Sequence, residues 1–314
     1  MAEGRPAVII HPTGKFDNRP AENRFIDVRP LAAAMGAEIC GVQLATLSDA
    51  QFAEIRAALF RHKMIYFRDQ QLTHADQEAF SRRFGPFAED AYTKGVSGHP
   101  DVQPVIKEAA DKSAMVFGSG WHTDSAFLPE PPAISMLYAV EIPPYGGDTM
   151  WANSVLAYAM LSDTMKQMIA PLKVHMSMAN VLAAAQKHHA PDDTPVGRVA
   201  ATKTMDRLPD EVVRKVKGAL HPLVRTHPVT GEKSLYCDGS YAVGFGGLTE
   251  EESAALLNFL VAHMTQPAFT CRLRWQPKTY VCWDNRICIH QAFNDYDGFR
   301  RELYRTTIAG EVPA

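Results

Sequence analysis

The chain has 314 residues, of which 46% are hydrophobic and 21% charged, an ordinary composition for a globular protein. This length is enough for one large core, so we expect a single domain over residues 1–314. A net charge of −3 argues against a nucleic-acid-binding surface or attachment to an anionic membrane. No apolar run approaches the roughly 20 residues of a transmembrane helix, and the N-terminus lacks the apolar stretch of a secretory signal.

The five cysteines are odd in number and form no Cys-x-x-Cys pair. Four of them lie in apolar, strand-like segments, which is typical of reduced core thiols in a cytoplasmic protein. A catalytic thiolate is the less favoured alternative. The cysteines are Cys40, Cys237, Cys271, Cys282 and Cys288.

The first third of the chain predicts short strands alternating with helices. Residues 1–20, rich in Pro, Gly and charge, predict a loose N-terminal arm. Two short strands are expected within residues 24–42. A helix should begin after Ser48 and a second one after Thr73, both good N-cap residues, with a strand at 63–69 between them.

The rest of the chain is dominated by strand patterns. Strands are expected at 102–107, at the His122–Asp124 segment, and at 133–140, 146–153, 221–228, 233–237, 269–275, 279–284, 287–293 and 301–310. Helices are expected at 154–172 and 248–264, and an irregular polar stretch at 177–205. We therefore predict a mainly β fold with flanking helices, a double-stranded β-helix (a cupin-like jelly roll). Residues 157–215 form a helical and loop insertion, part of which should order as a lid over the site.

A His-x-Asp pattern occurs three times: at His74 and Asp76, at His99 and Asp101, and at His122 and Asp124. The first pair lies on a helix, where residues i and i+2 diverge by roughly 200°. The second lies in a Pro-containing turn. Only the third pair follows a Gly-rich segment and enters an apolar run. On a strand its two side chains would point to the same face.

A later histidine, His290, would complete a site of two imidazoles and one carboxylate. That donor set with open positions opposite is typical of non-haem Fe(II) oxygenases. Alternatives remain: His122 alone could be a hydrogen-bonded core histidine. The trio could also serve a non-oxygenase cupin that uses Zn(II) or another divalent metal for hydrolysis or isomerisation, or a non-catalytic binding protein. The pair His188 and His189 lacks a third ligand at suitable spacing, and we expect it to be exposed.

Two arginines follow His290 after eleven and fifteen residues. On a strand, Arg301 and Arg305 would share one face, while Arg300 would point to the solvent side. A guanidinium group grips a carboxylate with two parallel hydrogen bonds, which a lysine cannot do. The alternative for Arg301 is a surface salt bridge with Glu302 or Asp295.

Four stretches, WHTDSAF, PPYGGDTMWAN, HPLVRTHPVTGEKSLY and WDNRICIHQAFNDYDGFRRELYRTTIAG, resemble the TauD/TfdA family of Fe(II)- and 2-oxoglutarate-dependent dioxygenases. The resemblance runs from about residue 24 to about residue 310. It implies that His122, Asp124 and His290 bind the iron. It further implies that Thr149 and Arg301 bind the distal carboxylate of 2-oxoglutarate, and that Arg305 lies close to the anionic group of the substrate.

The resemblance also implies the reaction. O2 and 2-oxoglutarate would yield succinate and CO2 while a small organic anion is hydroxylated, and hydroxylation beside a heteroatom would expel sulfite, a phenol or an aldehyde. A homodimer or homotetramer would be typical of the family.

The expected substrate pocket departs from that of taurine-specific members. Those members carry a histidine and a tyrosine where this chain offers Asp90 and Thr93, or Tyr92 with a one-residue shift. They also carry an asparagine where Gly118 stands here. These departures disfavour taurine, and the surrounding motifs look closer to members that cleave aryloxyalkanoates. Asp90 either favours an added cationic group on the substrate or is an outward loop residue.

Overall fold

The computed structural model describes residues 17–89, 95–111, 118–187 and 210–314. Within those ranges the chain is mostly β with flanking helices, as the sequence predicts. The strands are β1 (Asp27–Pro30), β2 (Ala37–Cys40), β3 (Met64–Phe67), β4 (Gln103–Lys107), β5 (Ile134–Glu141), β6 (Thr149–Asn153), β7 (Lys173–Met176), β8 (Ala219–Pro222), β9 (Val224–Thr226), β10 (Lys233–Leu235), β11 (Ala242–Phe245), β12 (Thr270–Leu273), β13 (Tyr280–Asp284), β14 (Cys288–Ala292) and β15 (Arg301–Ile308). The helices are α1 (Asp49–His62), α2 (His74–Arg82), α3 (Ser154–Ala159), α4 (Asp163–Ile169), α5 (Ala179–Lys187), α6 (Asp210–Lys217) and α7 (Glu250–Met264).

Seven strands form the largest sheet, in the order β1-β2-β3-β13-β5-β15-β4. All pairs in it are antiparallel except β2 with β3. A smaller sheet has the order β12-β6-β14, a third has β11-β7-β8, and β9 pairs with β10. The inner strand β5 therefore has both its neighbours, β13 and β15, near the end of the chain.

A buried cluster joins the seven-stranded sheet to the β12-β6-β14 sheet. Large side chains from both sheets meet there, and the Trp151 and Trp283 rings lie 5.9 Å apart edge to face. Two inner faces packed in this way form the sandwich of a jelly roll. Because His290 and Arg301 lie on strands of opposite sheets, the fold brings them to one interior.

Helices cover the outer faces of this sandwich. The capped helices α1 and α2 begin at Ser48 and Thr73 as predicted, each with a capping box. They pack on the seven-stranded sheet through apolar residues that include Ile55, Leu59 and Phe80. A third cluster combines α3, α4, α5 and α7 with the smaller sheets. No helix in the described ranges has both the length and the apolar character that crossing a bilayer requires.

Several local predictions are wrong. The His122–Asp124 segment is not a strand: His122 forms an isolated bridge and Asp124 lies in a turn. The expected helix at 154–172 is two helices, because Ser162 caps a new start for α4. The stretch 177–205 is not irregular throughout, since α5 occupies 179–187, and the expected exposure of His188 and His189 lies outside the described residues. The sequence pattern also does not predict β7 or β11.

Parts of the expected arm and insertion lie within the described residues. Residues 1–16 lie outside the described ranges, but Asn18 is buried and its side chain donates to the carbonyl oxygens of Ala32 and Gly36. In the insertion, Ile169, Val174 and other residues before 188 belong to the hydrophobic core. That half of 157–215 is thus part of the domain's packing, and the lid expected within 177–205 falls mainly on residues that are not described.

Candidate metal centre and co-substrate pocket

The two histidines of the predicted trio are joined through their backbones. The His122 N–H donates to the His290 carbonyl at 2.9 Å, and the His290 N–H donates back at 2.7 Å. This antiparallel bridge pairs His122 with the middle of β14, whose other side pairs with β6. It closes a sequence separation of 168 residues, and the turn after His122 then brings Asp124 round to the same point.

The three side chains converge as a metal site requires. Nε2 of His122 and Nε2 of His290 lie 3.6 and 3.7 Å from Oδ1 of Asp124. One ligand atom from each residue falls within 4.8 Å of the others, and it is the sole such cluster of His, Cys, Asp or Glu found in the described ranges. All three residues are buried.

The protonation of the trio suits a divalent cation. His122 Nδ1 lies 2.8 Å from the Gly120 carbonyl oxygen, so Nδ1 carries a hydrogen, and Nε2 is the nitrogen that is free of its proton when a metal binds. Burial lowers the pKa of His290 to about 3, so this imidazole is neutral. Burial acts to raise the pKa of Asp124, but the interaction with His122 and the positive charge of Arg305 outweigh it and hold the pKa well below its usual value. An ionised carboxylate beside neutral imidazole fits Fe(II).

A second motif places a buried cation near this trio. Arg301 on β15 is 6% exposed, and its guanidinium carbon lies 5.6 Å from the Trp275 ring and 6.0 Å from that of Tyr296. No carboxylate within the described ranges lies within 4.0 Å of it, and its Nε has no hydrogen-bond partner there. Burial lowers the pKa of Arg301, which Tyr296 and Asp148 only partly offset. A buried guanidinium group without an acidic partner favours the binding of an anionic ligand, which would offset its charge.

The surface salt bridge considered for Arg301 is therefore wrong. Glu302 pairs with Arg300 instead, and Asp295 accepts a hydrogen bond from the Gly147 N–H at 2.7 Å. Arg300 points outward as predicted, where it also meets Glu108 and Glu141.

Thr149 contributes a hydroxyl group to the same pocket. The Trp275 indole N–H donates to Thr149 Oγ1 at 3.0 Å, which leaves the hydroxyl hydrogen available to an acceptor. Close by, Gly147 adopts a φ of 67°, and a Cβ there would lie 3.3 Å from Nε of Arg301. The glycine of the GGDT motif thus lets the backbone approach the guanidinium group.

Arg305 lies between this pocket and the trio. Its NH1 is 4.0 Å from Oδ1 of Asp124, on the same strand as Arg301. Leu303, between the two arginines, is fully buried, as a shared inward face predicts. One face of β15 therefore carries both arginines, of which Arg305 approaches the trio.

Besides Arg305, the structure describes Gly118 of the expected substrate pocket. It has a φ of 85°, and a Cβ there would lie 3.1 Å from Cε1 of His122. Its carbonyl oxygen accepts a hydrogen bond from Ala292 N–H at 2.8 Å. Gly118 thus leaves open the space beside a ligand imidazole. The other expected pocket residues, Asp90, Tyr92 and Thr93, lie outside the described residues.

Sequence reasoning missed the residues that hold the ligand loop. The buried Asp238 carboxylate accepts hydrogen bonds from the backbone N–H groups of Thr123, Ser240 and Tyr241. A carboxylate 115 residues from its partner gives no local signal. Ser135 and Asn285, which also approach the trio, were missed for the same reason, although Asn285 stands in the WDNR stretch.

Comparison with known proteins identifies the family. Residues 27–307 match the profile described as "Taurine catabolism dioxygenase TauD, TfdA family". The chain belongs to the TauD/TfdA family. It is 35% identical over 298 residues to an alpha-ketoglutarate-dependent sulfate ester dioxygenase of Pseudomonas putida, covering 92% of this chain and 91% of the relative.

Two further similar proteins support this assignment. An (S)-phenoxypropionate/alpha-ketoglutarate-dioxygenase of Sphingobium herbicidovorans is 33% identical, covering 91% of this chain and 95% of that one. The crystal structure of a putative alpha-ketoglutarate-dependent taurine dioxygenase from Burkholderia xenovorans superimposes with a TM-score of 0.74. It is 37% identical and covers 92% of this chain and 91% of that one.

Membership confirms the predicted reaction class and the jelly-roll fold. This TauD/TfdA protein is a 2-oxoglutarate-dependent dioxygenase that uses Fe(II) and O2 on a small organic substrate. The comparisons give no support to a non-oxygenase cupin.

Proposed function

We propose that His122, Asp124 and His290 hold the Fe(II), and that Thr149 and Arg301 bind the distal carboxylate of 2-oxoglutarate. One observation carries this assignment: a buried guanidinium group with no acidic partner in the described ranges stands beside a buried trio of metal-binding side chains. A zinc hydrolase would leave Arg301 without an anion. A 2-oxoacid dicarboxylate supplies one.

The residues of the site have two roles, binding the metal and orienting the 2-oxoacid. Bound Fe(II) supplies the site at which O2 is reduced and the 2-oxoacid is decarboxylated to succinate and CO2. Arg301 and Thr149 fix the far end of the 2-oxoacid by charge-assisted hydrogen bonds. The apolar walls formed by Trp283 and Trp151 exclude water from the metal side of the centre.

We further propose that the substrate is a small organic anion, of the sulfate ester, sulfonate or aryloxyalkanoate type. Arg305 supports this, because its guanidinium group lies 4.0 Å from the ligand carboxylate and can face an anionic group at the mouth of the centre. Relatives that act on sulfate esters and on phenoxypropionate match at similar identity, so identity alone does not separate these classes.

For a primary alkyl sulfate, the products follow from the chemistry. Insertion of one oxygen atom of O2 into the C–H bond beside the ester oxygen gives a 1-hydroxyalkyl sulfate. Loss of the hydroxyl proton with cleavage of the C–O bond to sulfate then releases an aldehyde and hydrogen sulfate. An aryloxypropionate would give pyruvate and a phenol by the same two steps.

A spectroscopic titration tests the assignment before any substrate is known. Metal-free protein is mixed anaerobically with Fe(II) and then with 2-oxoglutarate, and a metal-to-ligand charge-transfer band in the visible spectrum is expected. Folded, iron-loaded protein without that band would show that the 2-oxoacid does not chelate at this centre.

The same titration then identifies the substrate class. An alkyl sulfate, taurine and both enantiomers of an aryloxypropionate are added in turn, and the band should shift with the true substrate. Succinate and the released sulfate, sulfite or phenol are measured after O2 is admitted. Arg305→Met should raise the KM for the anionic substrate, whereas Arg300→Met on the outer face of the same strand should not. Turnover of a neutral analogue as good as that of the anion would contradict the role of Arg305.

We also propose one catalytic domain over residues 1–314, a cytoplasmic location and a homodimer or homotetramer. The five free cysteines support a reducing compartment. Asp90, Tyr92 and Thr93 remain proposed substrate contacts. Light scattering coupled to gel filtration measures the oligomeric state, and a monomer at micromolar concentration would contradict that part.

A further inference from the structure

Four buried side chains form a hydrogen-bonded chain that ends on the ligand carboxylate. The Trp283 Nε1–H donates to Asn285 Oδ1 at 2.8 Å, and Asn285 Nδ2 donates to Ser135 Oγ at 2.8 Å. Ser135 Oγ donates to Asp124 Oδ2 at 2.5 Å. All four side chains are at most 5% exposed. The chain thus runs from the sheet interior to the metal site.

The direction of every bond in this chain is determined by its first member. An indole nitrogen can only donate, so the amide oxygen of Asn285 must face Trp283. The amide NH2 group must then face Ser135, whose oxygen accepts from it. The hydroxyl hydrogen of Ser135 therefore has Asp124 Oδ2 as its acceptor.

Strand register places these groups. Trp283 on β13 and Ser135 on β5 are directly opposite in the antiparallel ladder. Asn285 follows β13, and its backbone N–H donates to the Ala133 carbonyl oxygen at 2.8 Å. A shift of one residue would turn Ser135 to the other face of the sheet.

The first member of the chain also contacts a second ligand. The Trp283 ring packs against the His290 ring, with centroids 4.8 Å apart. One tryptophan therefore restrains His290 through its ring face and Asp124 through its N–H group. The two oxygens of Asp124 have different roles: Oδ2 accepts from Ser135, and Oδ1 faces both histidines.

We propose that Ser135 is a positioning residue, oriented by Asn285 and Trp283. Its hydroxyl group holds Oδ2 of Asp124 in a hydrogen bond, so that only Oδ1 is left to bind the metal. This inference rests on the proposed role of Asp124 as an iron ligand. With Oδ2 held, the carboxylate binds through one oxygen, and positions remain open for the 2-oxoacid and O2. Partners of this kind around ligating carboxylates typically change metal affinity about 10- to 100-fold when removed.

The test measures metal binding by itself, without turnover. Metal-free protein is titrated with Co(II), and both the dissociation constant and the visible d–d spectrum are recorded. Ser135→Ala should weaken Co(II) binding about 10- to 100-fold and alter the band intensities, because the released carboxylate can turn and bind through both oxygens. Ser81→Ala is the matched control, since Ser81 is equally buried and hydrogen-bonded but belongs to helix α2. It should leave both readouts unchanged.

An isosteric pair separates the hydroxyl group from packing. Ser135→Thr and Ser135→Val add the same bulk, but only threonine keeps the donor. We expect the Ser135→Thr variant to bind Co(II) at least fivefold more tightly than the Ser135→Val variant. This difference should hold even if the added bulk lowers the melting temperature of both variants. Asn285→Asp removes the amide donor with little change of shape and should weaken binding in the same direction.

The outcomes distinguish this inference from the proposed function. If the unmodified protein binds no Co(II), the metal site itself is refuted. If it binds Co(II) while Ser135→Ala stays within twofold and the Thr and Val variants are equal, only the positioning role is refuted. Circular dichroism confirms that each variant is folded, and the Thr and Val comparison decides the case in which Ser135→Ala does not fold.

Discussion

Replacing the buried cation of the co-substrate pocket should separate ligand affinity from stability. In Arg301→Met the side chain keeps much of its length and its contacts with Trp275 and Tyr296, but the charge is lost. Removing one partner of a buried, hydrogen-bonded charge pair costs about 2–5 kcal/mol of binding free energy. Because about 1.4 kcal/mol corresponds to tenfold, the dissociation constant for 2-oxoglutarate should rise about 30- to 5,000-fold.

The ligand-free protein should behave in the opposite way. Arg301 has no acidic partner within the described ranges, so its burial is not offset by an ion pair. Replacing an uncompensated buried charge with an apolar side chain of similar volume is neutral or stabilising. The melting temperature of ligand-free Arg301→Met should thus equal or exceed that of the unmodified protein.

Two assays on the same samples measure these effects. Calorimetric titration of the Mn(II)-loaded protein with 2-oxoglutarate gives the affinity, and differential scanning calorimetry gives the melting temperature with and without ligand. Arg300→Met, one residue away on the outer face of the strand, is the control for affinity and should leave it unchanged, because Arg300 pairs with Glu108, Glu141 and Glu302. A 2-oxoglutarate affinity within threefold of normal, or a large drop in the ligand-free melting temperature, would refute the reasoning.

Three further predictions concern the metal centre and a buried ion pair. His290→Ala should abolish Co(II) binding measured by visible absorbance, and retained affinity would remove His290 from the ligand set. Burial acts to lower the pKa of His122, but the hydrogen bond and charge of Asp124 outweigh it and raise the pKa, whereas that of His290 falls to about 3. The ion pair of His122 therefore stabilises the metal-free protein below the unfolded pKa and is lost as pH rises through the folded one. Co(II) binding at pH 6 should thus release close to one proton, and calorimetry in buffers of different ionisation enthalpy would contradict this by finding two or none. The pKa of Asp284 is held well below its usual value because the charge of Arg286 outweighs burial, so this pair stabilises the fold above about pH 4 and is lost as pH falls. Asp284→Asn should cost about 3–5 kcal/mol in urea unfolding at pH 7, and a loss below 1 kcal/mol would contradict the pair's contribution.

The residues proposed for the chemistry could be singled out from the sequence because their types are specific to it. Few protein classes other than this family carry two histidines, one aspartate and two inward arginines in motifs that occur in this order. The convergence of His122 and Asp124 was predicted for the wrong reason, since a turn rather than a strand brings them together. The sequence identifies the ligand side chains by their type, but both a strand and a turn can bring His122 and Asp124 together.

The supporting residues could not be predicted from the sequence. Ser135 and Asp238 are common residue types, and the contacts that matter here, those of Ser135 with Asp124 and Asn285 and that of Asp238 with Thr123, span 11 to 150 residues. Strand β7 is four residues long and pairs with strands more than forty positions later, so no local period identifies it. Capped helices such as α1 and α2 were predicted well because their signals are contained within one turn.

The sheet order has a consequence for how this protein is made. Strand β5 pairs on one side with β13 and on the other with β15, and both are synthesised more than 130 residues after it. On the ribosome, both edges of β5 therefore lack their native partners until nearly the whole chain has emerged, and such unpaired edges favour aggregation. His290 reaches His122 at the same late stage, so the proposed metal site can form only once synthesis is almost complete. Cells that make this enzyme at high levels would depend on chaperones that shield open strand edges.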